Sequence, residues 1–189
     1  RGIRMTRLYL GIDPGTTTGW AVLDGVGNRI ASNVIKLGKS TDRLGQRYLM
    51  LNRALEDITR LWGSPQTNRF DGIGYEDVIR HAAPTAAHLY GGFVAMLTSW
   101  AESYGIPYRG INVSTVKQAA TGNGSASKLA MVQAANARWT THILIAEKTV
   151  RRKGELVDST EYTFPGGGDN IADALWIAEA VRQQMEQQR

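Results

Sequence analysis

The stretch Leu8-Tyr9-Leu10-Gly11-Ile12-Asp13-Pro14-Gly15-Thr16-Thr17-Thr18-Gly19-Trp20-Ala21-Val22-Leu23 decides the fold. Leu8 to Asp13 is a short apolar run closed by the turn formers Asp13-Pro14-Gly15, and Gly19 to Leu23 is a second apolar run beyond a threonine turn. This predicts a hairpin with an acid at the end of its first strand. A third run, Arg29 to Leu37, follows the turn signals Asp24-Gly25 and Gly27-Asn28. The chain therefore opens with three consecutive antiparallel strands.

From Thr41 the period changes. Leu44, Tyr48, Leu51, Leu55 and Ile58 recur at steps of four and three, predicting an amphipathic helix that stops near Gly63-Ser64-Pro65. Its polar face carries Arg43, Arg47, Arg53 and Glu56. Next come a strand at Gly72 to Val78, a loop closed by Pro84, and a helix with Leu89, Phe93, Met96, Leu97 and Trp100 on its apolar side. Pro107 to Val113 reads as a strand, Ser114 to Ala120 as a short helix, and Ser125 as the N-cap of a helix reaching about Trp139. Lys148 to Gly168, with Arg151-Arg152-Lys153-Gly154 and Gly166-Gly167-Gly168, reads as a basic hairpin or mobile loop. A last helix runs from about Asn170 to Gln188. The result is an α/β fold: a mixed five-stranded sheet, three antiparallel hairpin strands and then strand-helix alternation, flanked by helices.

Composition narrows the function classes. A chain of 189 residues, 42% hydrophobic and 21% charged, suits one globular domain, expected over residues 5–189. Met5-Thr6-Arg7-Leu8 reads as a natural start, so residues 1–4 are expected to be an expression remnant. Twenty-two Lys and Arg against seventeen Asp and Glu give a net charge of +5, which permits nucleic-acid binding without demanding it. The absence of Cys excludes disulfides, thiolate zinc sites, iron–sulfur clusters and cysteine nucleophiles, so any metal must sit on oxygen or imidazole. No apolar run approaches the roughly 18 residues of a membrane span, and the first residues lack a signal-peptide core; a cytoplasmic protein without a membrane partner is expected. Trp20, Trp62, Trp100, Trp139 and Trp176 fall mostly on apolar faces and are expected in the core or a dimer interface.

The placement of three acids carries the chemistry. Asp13 ends the first strand, Glu76 ends the fourth, and Asp173 sits inside Ile171-Ala172-Asp173-Ala174-Leu175-Trp176, each embedded in apolar sequence. Clustered carboxylates repel one another and are costly to desolvate; a divalent cation relieves both costs, and hard oxygen ligands suit Mg²⁺ or Mn²⁺. Each acid also has a plain structural explanation. Asp13 suits the first position of an Asp-Pro-Gly turn, Glu76 could pair with Arg80, and Asp173 could pair with a buried Lys or Arg. Asn170 and Asp169 lie three and four residues before Asp173, on its face of the helix, as further oxygen donors; Asp169 is equally suited to cap the helix.

Four blocks resemble RuvC-type Holliday junction resolvases: Ile12-Asp13-Pro14-Gly15-Thr16-Thr17-Thr18-Gly19-Trp20-Ala21-Val22, Tyr75-Glu76-Asp77-Val78, Val116-Lys117-Gln118 through the glycine turn to Lys128, and Asn170-Ile171-Ala172-Asp173-Ala174-Leu175. They occur in that family's order across residues 8–180. The resemblance implies an RNase H-like fold, a homodimer acting on four-way branched DNA, and Mg²⁺, two ions per site in that family's manner, with Mn²⁺ as a substitute. It assigns Asp13, Glu76 and Asp173 as metal-binding carboxylates and Lys117 and Lys128 as lysines beside the scissile phosphate. Where many members carry Asp or His three residues before the last acid, this chain has Asn170, with Asp169 one place earlier. Asn170 can ligate through its carbonyl but adds no charge and cannot act as a base. Ile79, Arg80 and His81 lie where relatives insert a side chain at the junction centre, and Arg151, Arg152 and Lys153 could follow a DNA arm. The first block is one residue shorter than the common cellular form, which hints at a phage-like branch. A helicase partner is not legible in the sequence.

Other readings compete. Gly11-Ile12-Asp13-Pro14-Gly15-Thr16-Thr17 also looks like the first phosphate loop of actin-like sugar kinases, but 189 residues cannot supply the duplicated domain and second loop which that chemistry needs. A nuclease of broader branched-DNA range, and a non-catalytic RNase H-like DNA binder, remain open at this level; Asn170 is the one feature favouring the latter.

Overall fold

The computed structural model describes residues 7–39, 41–64, 67, 69–78, 84–150 and 159–188. The three opening strands are β1 (Leu8–Asp13), β2 (Thr17–Asp24) and β3 (Arg29–Lys36), joined as antiparallel neighbours. After helix α1 (Leu44–Trp62) the chain crosses over to β4 (Gly72–Asp77), which pairs parallel with β1. Helix α2 (Pro84–Ser103) leads to β5 (Tyr108–Asn112), parallel to β4, and the sheet order is β3-β2-β1-β4-β5. Two short helices follow, α3 (Val113–Thr121) and α4 (Lys128–Trp139). A separate antiparallel pair, β6 (Ala146–Val150) and β7 (Ser159–Thr163), precedes a 3₁₀ turn at Pro165–Gly167 and the last helix, α5 (Gly168–Gln187).

The period-2 alternation of β1 sorts its side chains between two cores. Leu8, Leu10 and Ile12 join Leu51, Leu55, Ile58, Phe93, Leu97 and Trp100 on the face covered by α1 and α2. Tyr9 joins Val116, Val132, Trp139, Leu175, Ile177 and Val181 on the other face, under α3, α4 and α5. The same alternation sends Gly11 and Asp13 toward α5. Along β4, Ile73 faces the first core, leaving Gly72, Gly74 and Glu76 on the α5 side.

Helix α5 packs directly on the backbone of the sheet because glycines lie beneath it. A Cβ on Gly11 would stand 2.1 Å from the Ala174 carbonyl oxygen, and one on Gly19 would stand 2.0 Å from that of Asn170. Both obstacles are backbone, so any side chain would push the helix outward. The chain enters α5 through Gly166 and Gly167, at φ +73° and +79°, a left-handed conformation that side chains resist. The glycine run thus builds the turn into the helix; of the preceding segment, Ala146–Val150 and Ser159–Thr163 pair antiparallel, while residues 151–158, with Arg151-Arg152-Lys153, lie outside the described residues.

Several local expectations change. Arg47, expected on the polar face of α1, is buried: its Nε donates to the Leu37 carbonyl over 2.9 Å and its stem continues the Leu51-Leu55 stripe. Leu44, expected on the apolar face, is exposed. Glu56 turns toward α2 and accepts from Trp100 Nε1 at 3.1 Å and from the Tyr104 hydroxyl at 2.5 Å. The cap of α4 is Ser127, which accepts from the Ala130 amide, while Ser125 sits in the preceding turn. Helix α5 begins two residues earlier than the spacing suggests and is capped by Gly167, so Asp169 lies inside its first turn and is not the cap. Four tryptophans are buried as expected, and Trp62, at 37% exposure, is not.

Candidate active site

Parallel pairing of β1 with β4 puts Tyr9 beside Gly72 and Gly11 beside Gly74, so the next residues on that face, Asp13 and Glu76, end neighbouring strands at the same level. The glycine contacts press the first turns of α5 against the same strand ends, bringing in Asn170 and Asp173. Asp13, Glu76, Asn170 and Asp173 line one cleft of about 460 Å³ with Lys117 of α3 and Lys128 of α4. Pro14, Gly15, Thr16, Thr17, Val113, Val116 and Met131 complete its walls.

Hydrogen bonds fix the segments that carry these groups. The buried Thr18 hydroxyl donates to the Gly15 carbonyl at 2.7 Å and accepts from the Gly15 amide at 3.3 Å, closing the turn after Asp13. Tyr90 of α2 donates its hydroxyl proton to the Glu76 carbonyl at 2.6 Å and accepts from the Val78 amide at 3.0 Å, holding the end of β4. The Asn112 side chain caps α3 by accepting from the Ser114 amide, and Gly122 ends that helix in the left-handed conformation.

Burial raises the Asp13 carboxyl well above the usual carboxylate range, and Asp173 and Glu76 push it further in that direction. Asp173 is pushed up to about 7, first by burial and then by the charge of Glu76, with Lys128 and Lys117 opposing. Glu76 is also raised by burial, against the pull of Lys128 and Lys117. Burial raises the proton affinity of all three carboxyl groups, and neighbouring acids add to it at Asp13 and Asp173; such a cluster will accept another cation in the protons' place. The donor set is hard oxygen throughout, three carboxylates and the Asn170 amide, and it fits Mg²⁺ or Mn²⁺. Among the described residues no three acidic or imidazole groups are already closed up as a ligand cage for a metal ion.

The structure thus brings together Asp13, Glu76, Asp173, Asn170, Lys117 and Lys128. Asp169 is absent from the lining of the cleft: its Oδ2 lies 2.5 Å from the Lys128 Nζ. Ile79, Arg80 and His81, and Arg151, Arg152 and Lys153, lie outside the described residues, and with them the Glu76–Arg80 pairing. Sequence reading missed Thr18 and Tyr90. Thr18 could have been found as a hydroxyl three residues past a glycine turn; Tyr90, fourteen residues from Glu76, gave no local signal.

The family profile of crossover junction endodeoxyribonuclease RuvC matches residues 9–138, which is 130 of the 189 residues and includes Asp13, Glu76 and both lysines. The chain belongs to this family. A RuvC family member is a Holliday junction resolvase, a metal-dependent endonuclease that acts on branched DNA. Two solved structures share the fold. RuvC of Thermus thermophilus in complex with a Holliday junction substrate superposes with a TM-score of 0.67 at 18% identity, covering 95% of this chain and 96% of that one. A further Thermus thermophilus RuvC structure gives 0.65, also at 18% identity and with the same coverage. The mixed sheet with its flanking helices is therefore the RNase H-like fold of RuvC. No curated protein sequence matches the chain. No helix among the described residues is long and apolar enough to cross a membrane.

Proposed function

We propose that this chain, as a homodimer, resolves four-way DNA junctions by paired symmetric nicks, through Mg²⁺-dependent hydrolysis that leaves 5′-phosphate and 3′-hydroxyl ends. The carrying observation is the convergence of Asp13, Glu76 and Asp173, from three separate elements, on one cleft walled by Lys117 and Lys128. Asp13, Glu76, Asp173 and the Asn170 carbonyl would hold the metal, two ions per site. When bound, divalent cations supply an activated water and charge stabilisation at the leaving oxygen. The protein's own groups do the rest. Lys128, at the first residue of α4 on the cleft rim, presents its ammonium to the reacting phosphate, where charge grows as the bond to the leaving oxygen breaks. Lys117, one helix away, holds a neighbouring phosphate. The Thr18 and Tyr90 hydrogen bonds keep the two strand-end carboxylates from drifting apart.

The homodimer is supported by the need for two cleft copies to cut opposite strands of one junction. The junction bound by the Thermus RuvC of the same fold supports the substrate. Ile79, Arg80 and His81 as a junction-centre contact, and Arg151, Arg152 and Lys153 as a grip on a DNA arm, belong to the same proposal, as does action in the cytoplasm. The test is incubation with an end-labelled four-way junction and the matching linear duplex, with and without Mg²⁺, with nicks mapped on denaturing gels. Symmetric paired nicks on the junction alone, only with metal, are expected. Nicks on forks and flaps alike would widen the substrate, and binding without nicks would overturn the nuclease assignment.

A further inference from the structure

Asp169 and Asn170 are adjacent in sequence and diverge in space, since successive helical residues point about 100° apart. Asn170 lines the cleft with the three carboxylates; Asp169 instead reaches Lys128, with Oδ2 to Nζ at 2.5 Å. The ion pair is lopsided. The Asp169 side chain is 19% exposed and that of Lys128 is 63% exposed, so the acid is the fixed partner and the lysine the movable one. Each sits in the first turn of its helix. The partial positive charge of a helix N-terminus suits the carboxylate of Asp169 and opposes the ammonium of Lys128. The carboxylates of Asp173 and Asp13 also attract the ammonium, and Asp169, in direct hydrogen-bond contact with it, fixes it at the rim of the cleft.

We propose that Asp169 is a positioning residue for the Lys128 ammonium and not a metal ligand. The inference rests on the reading of the cleft as a phosphodiester-cleaving centre, and it identifies what keeps a cation beside the incoming phosphate. The pairing acts in both directions. Asp169 places Lys128, and Lys128 masks a carboxylate that would otherwise face the DNA backbone. Loss of Asp169 therefore slows cleavage in a protein that has Lys128 without changing its demand for Mg²⁺, which loss of a metal ligand would not do, and in a protein that lacks Lys128 it removes an unmasked negative charge from the DNA-facing rim.

The experiment compares wild type, Asp169→Asn, Lys128→Ala and the double variant on a four-way junction. Single-turnover cleavage is followed across Mg²⁺ concentrations, and junction binding is measured in EDTA. Asp169→Asn is expected to slow cleavage by about tenfold at saturating junction, with the half-saturating Mg²⁺ concentration unchanged and most of the rate recovered by Asp169→Glu. In the Lys128→Ala background the same change is expected to tighten junction binding. A shift of the Mg²⁺ midpoint by about tenfold or more would mean that Asp169 acts on metal binding, as a ligand or through one, and would overturn the proposal. An unchanged rate in Asp169→Asn, or weaker binding in the double variant, would also overturn it. A wild-type protein that binds the junction without cutting it would withdraw the nuclease reading, while the binding arm would still decide whether Asp169 and Lys128 are coupled.

Discussion

The hydroxyl of Tyr90 bridges the Glu76 carbonyl and the Val78 amide, at 2.6 and 3.0 Å, so a side chain of α2 fixes the strand end from which a cleft carboxylate projects. Tyr90→Phe keeps the ring and removes the bridge. It is expected to lower cleavage about threefold to tenfold through Glu76 misplacement, and to cost about 1 kcal/mol of stability, within the range for one such hydrogen bond. Single-turnover rates and denaturant melts read the two effects. An unchanged rate would show that β4 holds Glu76 without help.

Gly19 is the counterpart on the other side of the cleft. Because its missing side chain is replaced by the Asn170 backbone, Gly19→Val must push the start of α5 away from β2. The expected cost is about 1 to 3 kcal/mol, the usual range for overpacking, with a larger proportional loss of activity because Asn170 and Asp173 move with the helix. A variant that loses stability and keeps wild-type cleavage would contradict this coupling.

The fold was largely readable and the site partly so, for different physical reasons. Strand order and helix stripes follow from periodicity, and the acids at the ends of β1 and β4 stood out against apolar sequence. Long-range satisfaction of single polar groups was not readable. Arg47 looked solvent-facing because its acceptor, the Leu37 carbonyl, is backbone and has no sequence signature. Asp169 looked equally like a ligand or a cap because its partner, Lys128, is 41 residues away and on another helix. The glycines under α5 could be counted in the sequence, but which backbone they admit depends on the packed helix.

At the far end of α5, Arg182 and Glu179 form a buried pair, with guanidinium-to-carboxylate distances of 2.6 and 2.8 Å. Burial alone would raise the Glu179 carboxyl, but the hydrogen bonds from Arg182 and Gln183 hold it below the ordinary value. A carboxylate with a lowered folded pKa stabilises the protein above its unfolded pKa, and that contribution is lost as the pH falls through the folded value. Arg182→Met is therefore expected to destabilise the protein by up to about 3 kcal/mol at neutral pH, by removing the hydrogen-bonded ion partner of Glu179 and leaving it Gln183 and the charge of Arg138. It should also flatten the acid limb of the stability curve. Chemical denaturation at pH 7 and at pH 3 tests both, and an acid limb as steep as that of wild type would mean another group controls it.

Asp13 separates stability from catalysis. Without metal, its charge is buried against Asp173 and Glu76, so the protein holds it at a cost. Asp13→Asn keeps the shape and removes a like charge; it is expected to raise the melting temperature in EDTA and to abolish the further rise that Mg²⁺ gives the wild type. Cleavage should disappear while junction binding in EDTA persists, because on the proposed reading the phosphates are held by basic side chains such as Lys117 and do not need the ligand. Thermal melts with and without Mg²⁺, beside gel-shift titrations on a four-way junction, measure both halves. If Asp13→Asn melted lower than the wild type in EDTA, Asp13 would be a structural turn residue whose charge is satisfied by the fold. If it lost binding along with cleavage, the cleft would be part of the DNA grip itself.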